Sequence, residues 1–193
     1  MKEFLEKIRN DHHDFDKGHI SDHVSADPFV FFEKWYKEAF LSAENEPNAM
    51  VLSTVNEENK PSSRILYLKE MNEEGLIFFT NYKSSKGKSL AKNKNASILF
   101  FWPTLERQVR IEGEIEKASS SISDDYFATR PKESQLAAWA SYQSEYLENR
   151  NELEDRFEKL MQKFPGDVPR PPHWGGYVLK PNRFEFWQGR PSR

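Results

Sequence analysis

The sequence predicts a mainly β domain with α-helices: a small antiparallel barrel with a flanking helical subdomain. Three observations lead there. Stretches of strand length follow one another from Ala49 to Ile115, separated by short, turn-rich connections that favour antiparallel pairing. The segment 121–164 instead repeats its apolar residues at helical spacing. The chain has 193 residues, 14% of them aromatic, including 15 Phe and 5 Trp, enough for one sizeable core of large rings.

Composition narrows the classes of function. Basic and acidic residues number 28 and 31, for a net charge of −3. That balance predicts neither a nucleic-acid nor a membrane partner, and leaves room for local phosphate sites. The chain has no cysteine. Disulfides, thiolate zinc sites and a thiol nucleophile are excluded, and a reducing cytoplasm suits the chain. No run approaches the roughly 18 apolar residues of a membrane span. Met1-Lys2-Glu3-Phe4-Leu5-Glu6-Lys7 is charged throughout and lacks the pattern of a signal peptide. A cytoplasmic protein is expected.

Taken in order, residues 1–26 are polar, with His12, His13, His19 and His23 scattered among aspartates. Their spacing matches no zinc signature, so no metal site is expected. The segment reads as a mobile, solvated arm, or, functionally, as a lid over a site. The main domain is expected to occupy residues 27–193, including the helical segment 121–164. Asp27 is a good N-cap and Pro28 suits the first helical position. Phe29, Phe32, Trp35, Tyr36, Ala39 and Phe40 then repeat at helical spacing as a core-facing stripe.

Ala49 to Val55 alternates as a strand, Asn56 to Pro61 is a turn, and Ser62 to Lys69 reads as the antiparallel partner. A second turn, Asn72 to Gly75, precedes a third strand, Leu76 to Thr80, and the three are expected to form a meander. Asn81 to Lys88 opens a short helix running to about Asn93. Serines and lysines at a helix start suit either a phosphate or a solvated basic face. Ala96 to Trp102 is a fourth strand. Leu105 to Ile115 is a fifth, with Val109, Ile111, Gly113 and Ile115 on one face and Gln108, Arg110, Glu112 and Glu114 on the other.

Helices follow. Ser123 can cap one holding Tyr126 and Phe127, and a second begins near Pro131 and carries Leu136, Ala137 and Trp139. Asn149 to Phe164 is amphipathic through Leu153, Phe157, Leu160 and Met161. A proline-rich connection, 165–172, leads to two last strands, Gly175 to Leu179 and Arg183 to Trp187.

No Ser-His-Asp constellation can be assembled, since the histidines apart from His173 cluster in the arm. What remains is a set of cations and amides beside strands and helix starts: Arg64, Lys69, Lys86, Gln108, Arg110, Arg130, Gln143 and Arg183. Each alone is compatible with a surface charge. Together they suit phosphate-bearing ligands, and the aromatic content suits a flavin or similar ring.

Five motifs in order then form a pattern. They are Ser63-Arg64-Ile65-Leu66-Tyr67-Leu68-Lys69; Phe78-Phe79-Thr80-Asn81 with Ser84-Ser85-Lys86; Leu105-Glu106-Arg107-Gln108-Val109; Tyr126-Phe127-Ala128-Thr129-Arg130-Pro131 with Ser134-Gln135 and Gln143-Ser144; and Trp174-Gly175-Gly176-Tyr177 with Glu185-Phe186-Trp187-Gln188-Gly189. In this the chain resembles the pyridoxamine 5′-phosphate oxidase family from about Asp27 to its end. The resemblance implies an FMN-binding split β-barrel and a homodimer with FMN at the subunit interface. It implies oxidation of pyridoxamine or pyridoxine 5′-phosphate to pyridoxal 5′-phosphate, with hydride passing from C4′ to flavin N5. Oxygen would be the acceptor, giving hydrogen peroxide, and the amine would leave as ammonia. By motif, the flavin would be held by Arg64, Ile65, Leu66, Tyr67, Leu68, Lys69, Phe79, Thr80, Ser85, Lys86, Gln108, Gln143, Ser144 and Trp187. Lys69, Tyr126, Arg130, Ser134 and Arg193 would hold the substrate, with Arg193 facing the reacting part. Arg110 gains no role from the resemblance and stays a surface or interface charge.

The sequence departs from the family pattern in three places. Ser85 stands where members usually have arginine. His12 and Phe15 stand about where an arginine and a tyrosine touch substrate in some relatives, so that role is not carried over. The family continues after the position of Arg193 with Leu-His-Asp-Arg and a last strand, and that His and Arg belong to its site. The alternative reading is a non-catalytic split-barrel protein that binds flavin or pyridoxal phosphate as carrier or sensor.

Overall fold

The computed structural model describes all residues except 10, 12, 13, 22, 23 and 193. The expectations placed on His12, His13, His23 and Arg193 therefore lie outside the described residues. The helices are α1 (Lys2–Arg9), α2 (Pro28–Leu41), α3 (Ser85–Lys92), α4 (Ser120–Thr129), α5 (Lys132–Ala140) and α6 (Arg150–Lys163). The strands are β1 (Ala49–Val55), β2 (Pro61–Tyr67), β3 (Glu70–Asn72), β4 (Gly75–Asn81), β5 (Asn95–Trp102), β6 (Arg107–Lys117) and β7 (Trp174–Gln188). A seven-stranded sheet runs in the order β2-β1-β5-β6-β7-β4-β3. No helix among the described residues is long and apolar enough to cross a membrane.

The chain divides into two compact units: Met1–Asn48, Leu99–Arg110 and Phe184–Arg193 make one, and Ala49–Ile98 with Ile111–Arg183 make the other. The first unit gathers three segments far apart in sequence.

In the first unit the Asp27 carboxylate accepts the Phe29 N–H at 2.8 Å and Pro28 starts α2, as the cap chemistry predicts. Phe32, Trp35 and Ala39 are buried. Their partners are rings brought from elsewhere: Phe32 lies 5.3 Å from Phe100, and Phe31 lies 4.6 Å from Phe186. Phe40, expected in the same stripe, is 68% exposed. It sits about 100° of helical turn from Ala39, past the edge of the buried face. The amino-terminal segment has more structure than its composition suggests. Lys2–Arg9 is helical, and the Glu106 carboxylate accepts the backbone N–H groups of Asp16 and Lys17 at 2.9 and 3.0 Å. Phe15 packs edge-on to Trp187 at 5.4 Å.

The second unit holds β1 to β4, parts of β5 to β7 and the helical segment. β1 and β2 pair antiparallel with Leu52 opposite Arg64 and Thr54 opposite Ser62, as the short turn predicts. The meander fails at its third member. The chain leaves β2, makes the tight β3–β4 hairpin with Gly75 at φ +142, and joins the far edge of the sheet. There β4 pairs with β7, Phe78 opposite Tyr177 and Phe79 opposite Gly176. β7 is a single strand where two were expected. Pro181 removes one N–H donor, but its fixed φ still suits extended backbone. Ser119 rather than Ser123 caps α4, accepting the Ile122 N–H at 3.2 Å. Ser123 is buried, and its hydroxyl accepts the Gly176 N–H at 3.1 Å. Phe127, Leu136, Val168 and Trp174 form the core of the helical segment, flanked by Trp139, Phe157, Leu160 and Phe164.

Candidate active site

Two clefts in the second unit carry most of the residues singled out by sequence. The first, about 480 Å³, is lined by Ser62, Ser63, Arg64, Ile65, Leu66, Ser85, Lys86, Gln143 and Ser144. The second, about 410 Å³, includes Leu66, Tyr67, Lys69, Phe79, Thr80, Tyr126, Arg130, Gln143 and Trp174 in its lining. Leu66 and Gln143 belong to both.

The first cleft is built around two cations. Arg64 lies on β2, where its Nη1 donates to the Leu52 carbonyl at 3.1 Å and to Thr54 Oγ1 at 2.9 Å. Its Nη2 donates to Ser62 Oγ at 2.8 Å. Lys86 lies in the first turn of α3 and is 6% exposed. The side chain of Ser84, the N-cap, accepts the Gly87 N–H, and Gly87 is required because a Cβ there would stand 2.1 Å from the Tyr82 carbonyl. Lys86 Nζ donates to Gln143 Oε1 at 2.7 Å, Ser84 Oγ at 3.2 Å and Thr80 Oγ1 at 3.3 Å. Every one of these acceptors is neutral. Among the described residues no carboxylate pairs with Arg64 or Lys86. Burial, and secondarily the Arg64 charge, pull the Lys86 ammonium down to about 8. Burial also lowers Arg64 from its ordinary value. Two uncompensated cations beside the start of a helix form a place for an anion, and a phosphate dianion fits it.

The second cleft has an aromatic wall. Phe79 of β4 stacks on Tyr126 of α4 with centroids 3.9 Å apart, and Trp174 lies parallel to Phe79 at 5.6 Å. Arg130 follows α4, and its guanidinium covers the Trp174 ring at 4.7 Å. Arg130 Nη1 is buried and has no hydrogen-bond partner among the described residues. Burial lowers its pKa, with Tyr126 acting weakly the other way. A buried guanidinium N–H without an acceptor is costly unless a ligand supplies one, which makes this a candidate for a second anion site. Lys69 stands at the same cleft, its ammonium 5.3 Å from the Tyr67 ring. Gln143 joins the two clefts: its side-chain oxygen accepts from Lys86 on one side and from Thr80 Oγ1 at 3.2 Å on the other.

The remaining residues from the sequence reading fall elsewhere. Leu68 is buried and lines neither cleft. Ser134, in the first turn of α5, is half-buried and also lines neither. Gln108 and Trp187 belong to the first unit, Gln108 half-buried on β6 and Trp187 on β7. Arg110 forms an ion pair with Glu185 at 2.6 Å, in keeping with its reading as a surface or interface charge. Sequence reasoning missed Thr54 and Trp174 as site residues. Thr54 gives only a signal of a polar residue on the inward face of a strand, and Trp174 belongs to a motif that assigns it no role. Among the described residues no group of three or more His, Asp or Glu could hold a metal ion.

Comparison with known proteins gives the arrangement a family. Residues 36–164 match the family described as pyridoxamine 5′-phosphate oxidase, and residues 174–193 match the pyridoxine 5′-phosphate oxidase C-terminal dimerisation region. The pyridoxine/pyridoxamine 5′-phosphate oxidase of Actinobacillus succinogenes is 52% identical over 181 residues, covering 93% of this chain and 86% of that protein. The enzyme of the same name from Bordetella pertussis is 55% identical over 174 residues, covering 90% and 82%. Among solved structures, PhzG from Burkholderia lata in complex with tetrahydrophenazine-1-carboxylic acid superposes with a TM-score of 0.83 at 29% identity, covering 88% of this chain and 83% of that one. A pyridoxamine 5′-phosphate oxidase-related, FMN-binding protein from Nostoc punctiforme gives 0.69 at 17% identity, covering 86% and 87%, a likeness of fold. The fold is the split β-barrel expected from the sequence. The chain belongs to the pyridoxamine 5′-phosphate oxidase family and is an oxidoreductase.

Proposed function

We propose that the chain oxidises pyridoxamine and pyridoxine 5′-phosphate to pyridoxal 5′-phosphate with FMN as cofactor and oxygen as acceptor. The observation that carries this reading is the pairing of two anion sites across adjoining clefts. One is made by Arg64 and Lys86, which no carboxylate among the described residues neutralises, and the other by Arg130, whose Nη1 has no partner among them. A phosphorylated flavin and a phosphorylated pyridine would each bring one dianion. Arg64 and Lys86 would hold the cofactor phosphate, with Ser85 and Ser144 beside it and Gln143 reoriented to donate its amide. Arg130 and Lys69 would hold the substrate phosphate, with Tyr126 in the same wall. Gln108, Trp187 and Arg193 keep the roles that the sequence resemblance implies, toward the flavin ring and the reacting carbon.

When bound, FMN would supply the redox chemistry, a two-electron acceptor for the hydride at substrate C4′ with oxygen as the final acceptor and hydrogen peroxide as its product. For the amine substrate, water would then hydrolyse the oxidised imine to the aldehyde and ammonia. The protein would orient both partners through the two anion sites and the aromatic wall. Within this reading the chain acts as a homodimer, supported by the match of residues 174–193 to a dimerisation region. It works in the cytoplasm, which its cysteine-free sequence suits.

The PhzG neighbour was solved with a tricyclic carboxylic acid. Such a ligand needs only one anion site beyond the cofactor's, so the aromatic wall alone does not choose between the two substrate classes. The 52–55% identity to the pyridoxine/pyridoxamine 5′-phosphate oxidases favours the phosphorylated pyridines. The test is turnover. Purified protein loaded with FMN and given pyridoxamine phosphate in air should form pyridoxal phosphate and peroxide in equal amounts. FMN binding without turnover of either phosphate would support a carrier or sensor instead.

A further inference from the structure

We propose that Thr54 is a positioning residue for the cofactor phosphate. Its hydroxyl holds the Arg64 guanidinium in the orientation that offers the remaining N–H groups to the anion. This rests on the reading of the Arg64–Lys86 cleft as the phosphate site of FMN.

The inward residues of β1 are Met50, Leu52 and Thr54, exposed by 1%, 0% and 1%. Two are apolar, as a barrel interior requires. At the third, valine would fill the same space without the cost of burying a hydroxyl. Arg64 Nη1 meets that hydroxyl at 2.9 Å. Arginine has no acceptor, so the threonine oxygen accepts. Strand register explains the encounter: Leu52 lies opposite Arg64 and Thr54 opposite Ser62, so one two-stranded ladder supplies all three acceptors of the guanidinium.

Those acceptors differ in stiffness. The Leu52 carbonyl is fixed backbone. Ser62 is exposed and its hydroxyl turns readily. Thr54 is buried and β-branched, so its χ1 is restricted, and it is the stiff side-chain acceptor of the three. Arginine has five N–H donors, and three are engaged here, which leaves the Nε–H and one Nη2–H for a ligand. All three acceptors are neutral, so the guanidinium is oriented without being neutralised. A carboxylate in place of Thr54 would orient it equally well and cancel the charge that the phosphate needs.

Thr54 touches neither phosphate nor flavin in this scheme, so its test must separate orientation from packing. FMN and riboflavin differ by the phosphate alone, and the ratio of their dissociation constants reports on the phosphate site. Both are measured by quenching of flavin fluorescence, for wild type, Thr54→Val, Thr54→Ser and Arg64→Ala. Thr54→Val should weaken FMN by roughly tenfold, the scale of one hydrogen bond to a charged group, and leave riboflavin within about twofold. Thr54→Ser, which keeps the oxygen, should restore most of the ratio. If Thr54→Val weakens both flavins alike, or neither, while Arg64→Ala abolishes the preference for FMN, Thr54 only packs and the proposal is overturned. If Arg64→Ala also leaves the preference intact, the phosphate reading of the cleft falls, and the role of Thr54 with it. Thr54→Ala serves as a second variant should the valine fail to fold, since the ratio is read on whatever folded protein binds riboflavin.

Discussion

Replacing Lys86 by methionine should make the cofactor-free protein more stable and a poorer flavoprotein. The ammonium is 6% exposed and is held down to about 8 from its ordinary 10.5, first by burial and then by Arg64. That difference corresponds to roughly 3 kcal/mol of folding free energy lost to holding the charge, at 1.36 kcal/mol per unit. Water reaches the amine through the open cleft and screens part of this, so about 2 kcal/mol is the working figure. Methionine follows the lysine chain only as far as Cε and removes one donor each from Gln143 Oε1, Ser84 Oγ and Thr80 Oγ1, at a cost of about 1 kcal/mol, while Gln143 Oε1 keeps the Thr80 hydroxyl and Ser84 Oγ keeps the Gly87 N–H. The net expectation near pH 7 is a gain of roughly 1 kcal/mol. The sign follows from linkage. Below about 8 both folded and unfolded chains carry the proton and the folded state bears the full penalty. As pH rises from about 8 toward 10.5 the folded amine is neutral while the unfolded one is still charged, so wild-type stability rises and the advantage of methionine shrinks. Urea unfolding of both cofactor-free proteins near pH 7 and about pH 9.5 measures this. FMN affinity should fall by about ten- to a hundredfold in the variant, the loss of a charge-assisted contact. A variant less stable than wild type at pH 7, with a difference that does not change by pH 9.5, would refute the reasoning.

Three further outcomes follow from the same geometry. FMN affinity of the wild-type protein should decline as pH is raised above about 8, because the cofactor-free amine loses its proton there while a phosphate-bound amine retains it; a fluorescence titration flat from neutral to alkaline pH would contradict this. Arg130→Ala should raise KM for pyridoxamine phosphate by roughly tenfold or more with kcat little changed, since a buried Nη1 loses its role in binding rather than in chemistry. Steady-state kinetics check it, and a fall in kcat at constant KM is the opposing result. Gly87→Ala places a Cβ 2.1 Å from the Tyr82 carbonyl, which is backbone and cannot yield cheaply. It should cost about 2 kcal/mol or more by shifting α3, and FMN retention should fall with it; an unchanged melting temperature would show that the helix start has room to spare.

Some parts of the site were legible in the chain and others were not, for identifiable reasons. Arg64, Lys69, Lys86, Arg130 and Gln143 stood out as cations and amides beside strands and helix starts, and the structure sets all five in two adjoining clefts. What their spacing did not reveal is which of them meet. Lys86 and Gln143 are 57 positions apart, and no local pattern announces that the amide oxygen lies 2.7 Å from the ammonium. Ser123 looked like a helix cap because capping serines and buried serines share one residue type. Only the arrival of Gly176 at its hydroxyl decides between them. Thr54 could not be distinguished from any threonine in a strand until the guanidinium of Arg64 was placed against it.

The sequence by itself determined the elements whose physics is short-range: the Asp27–Pro28 start of α2, the β1–β2 ladder across a short turn, and the serine-capped α3. The ordered motifs also pointed to the family. Tertiary structure alone decided that β4 pairs with β7 rather than with β2, and that β7 is continuous through Pro181. It alone decided that two cations share a cleft with no carboxylate among the described residues paired to either. An apolar strand face is satisfied by many neighbours, so its partner is chosen by the competition of every non-local contact at once. That choice, in turn, sets which charges are left uncompensated for a ligand.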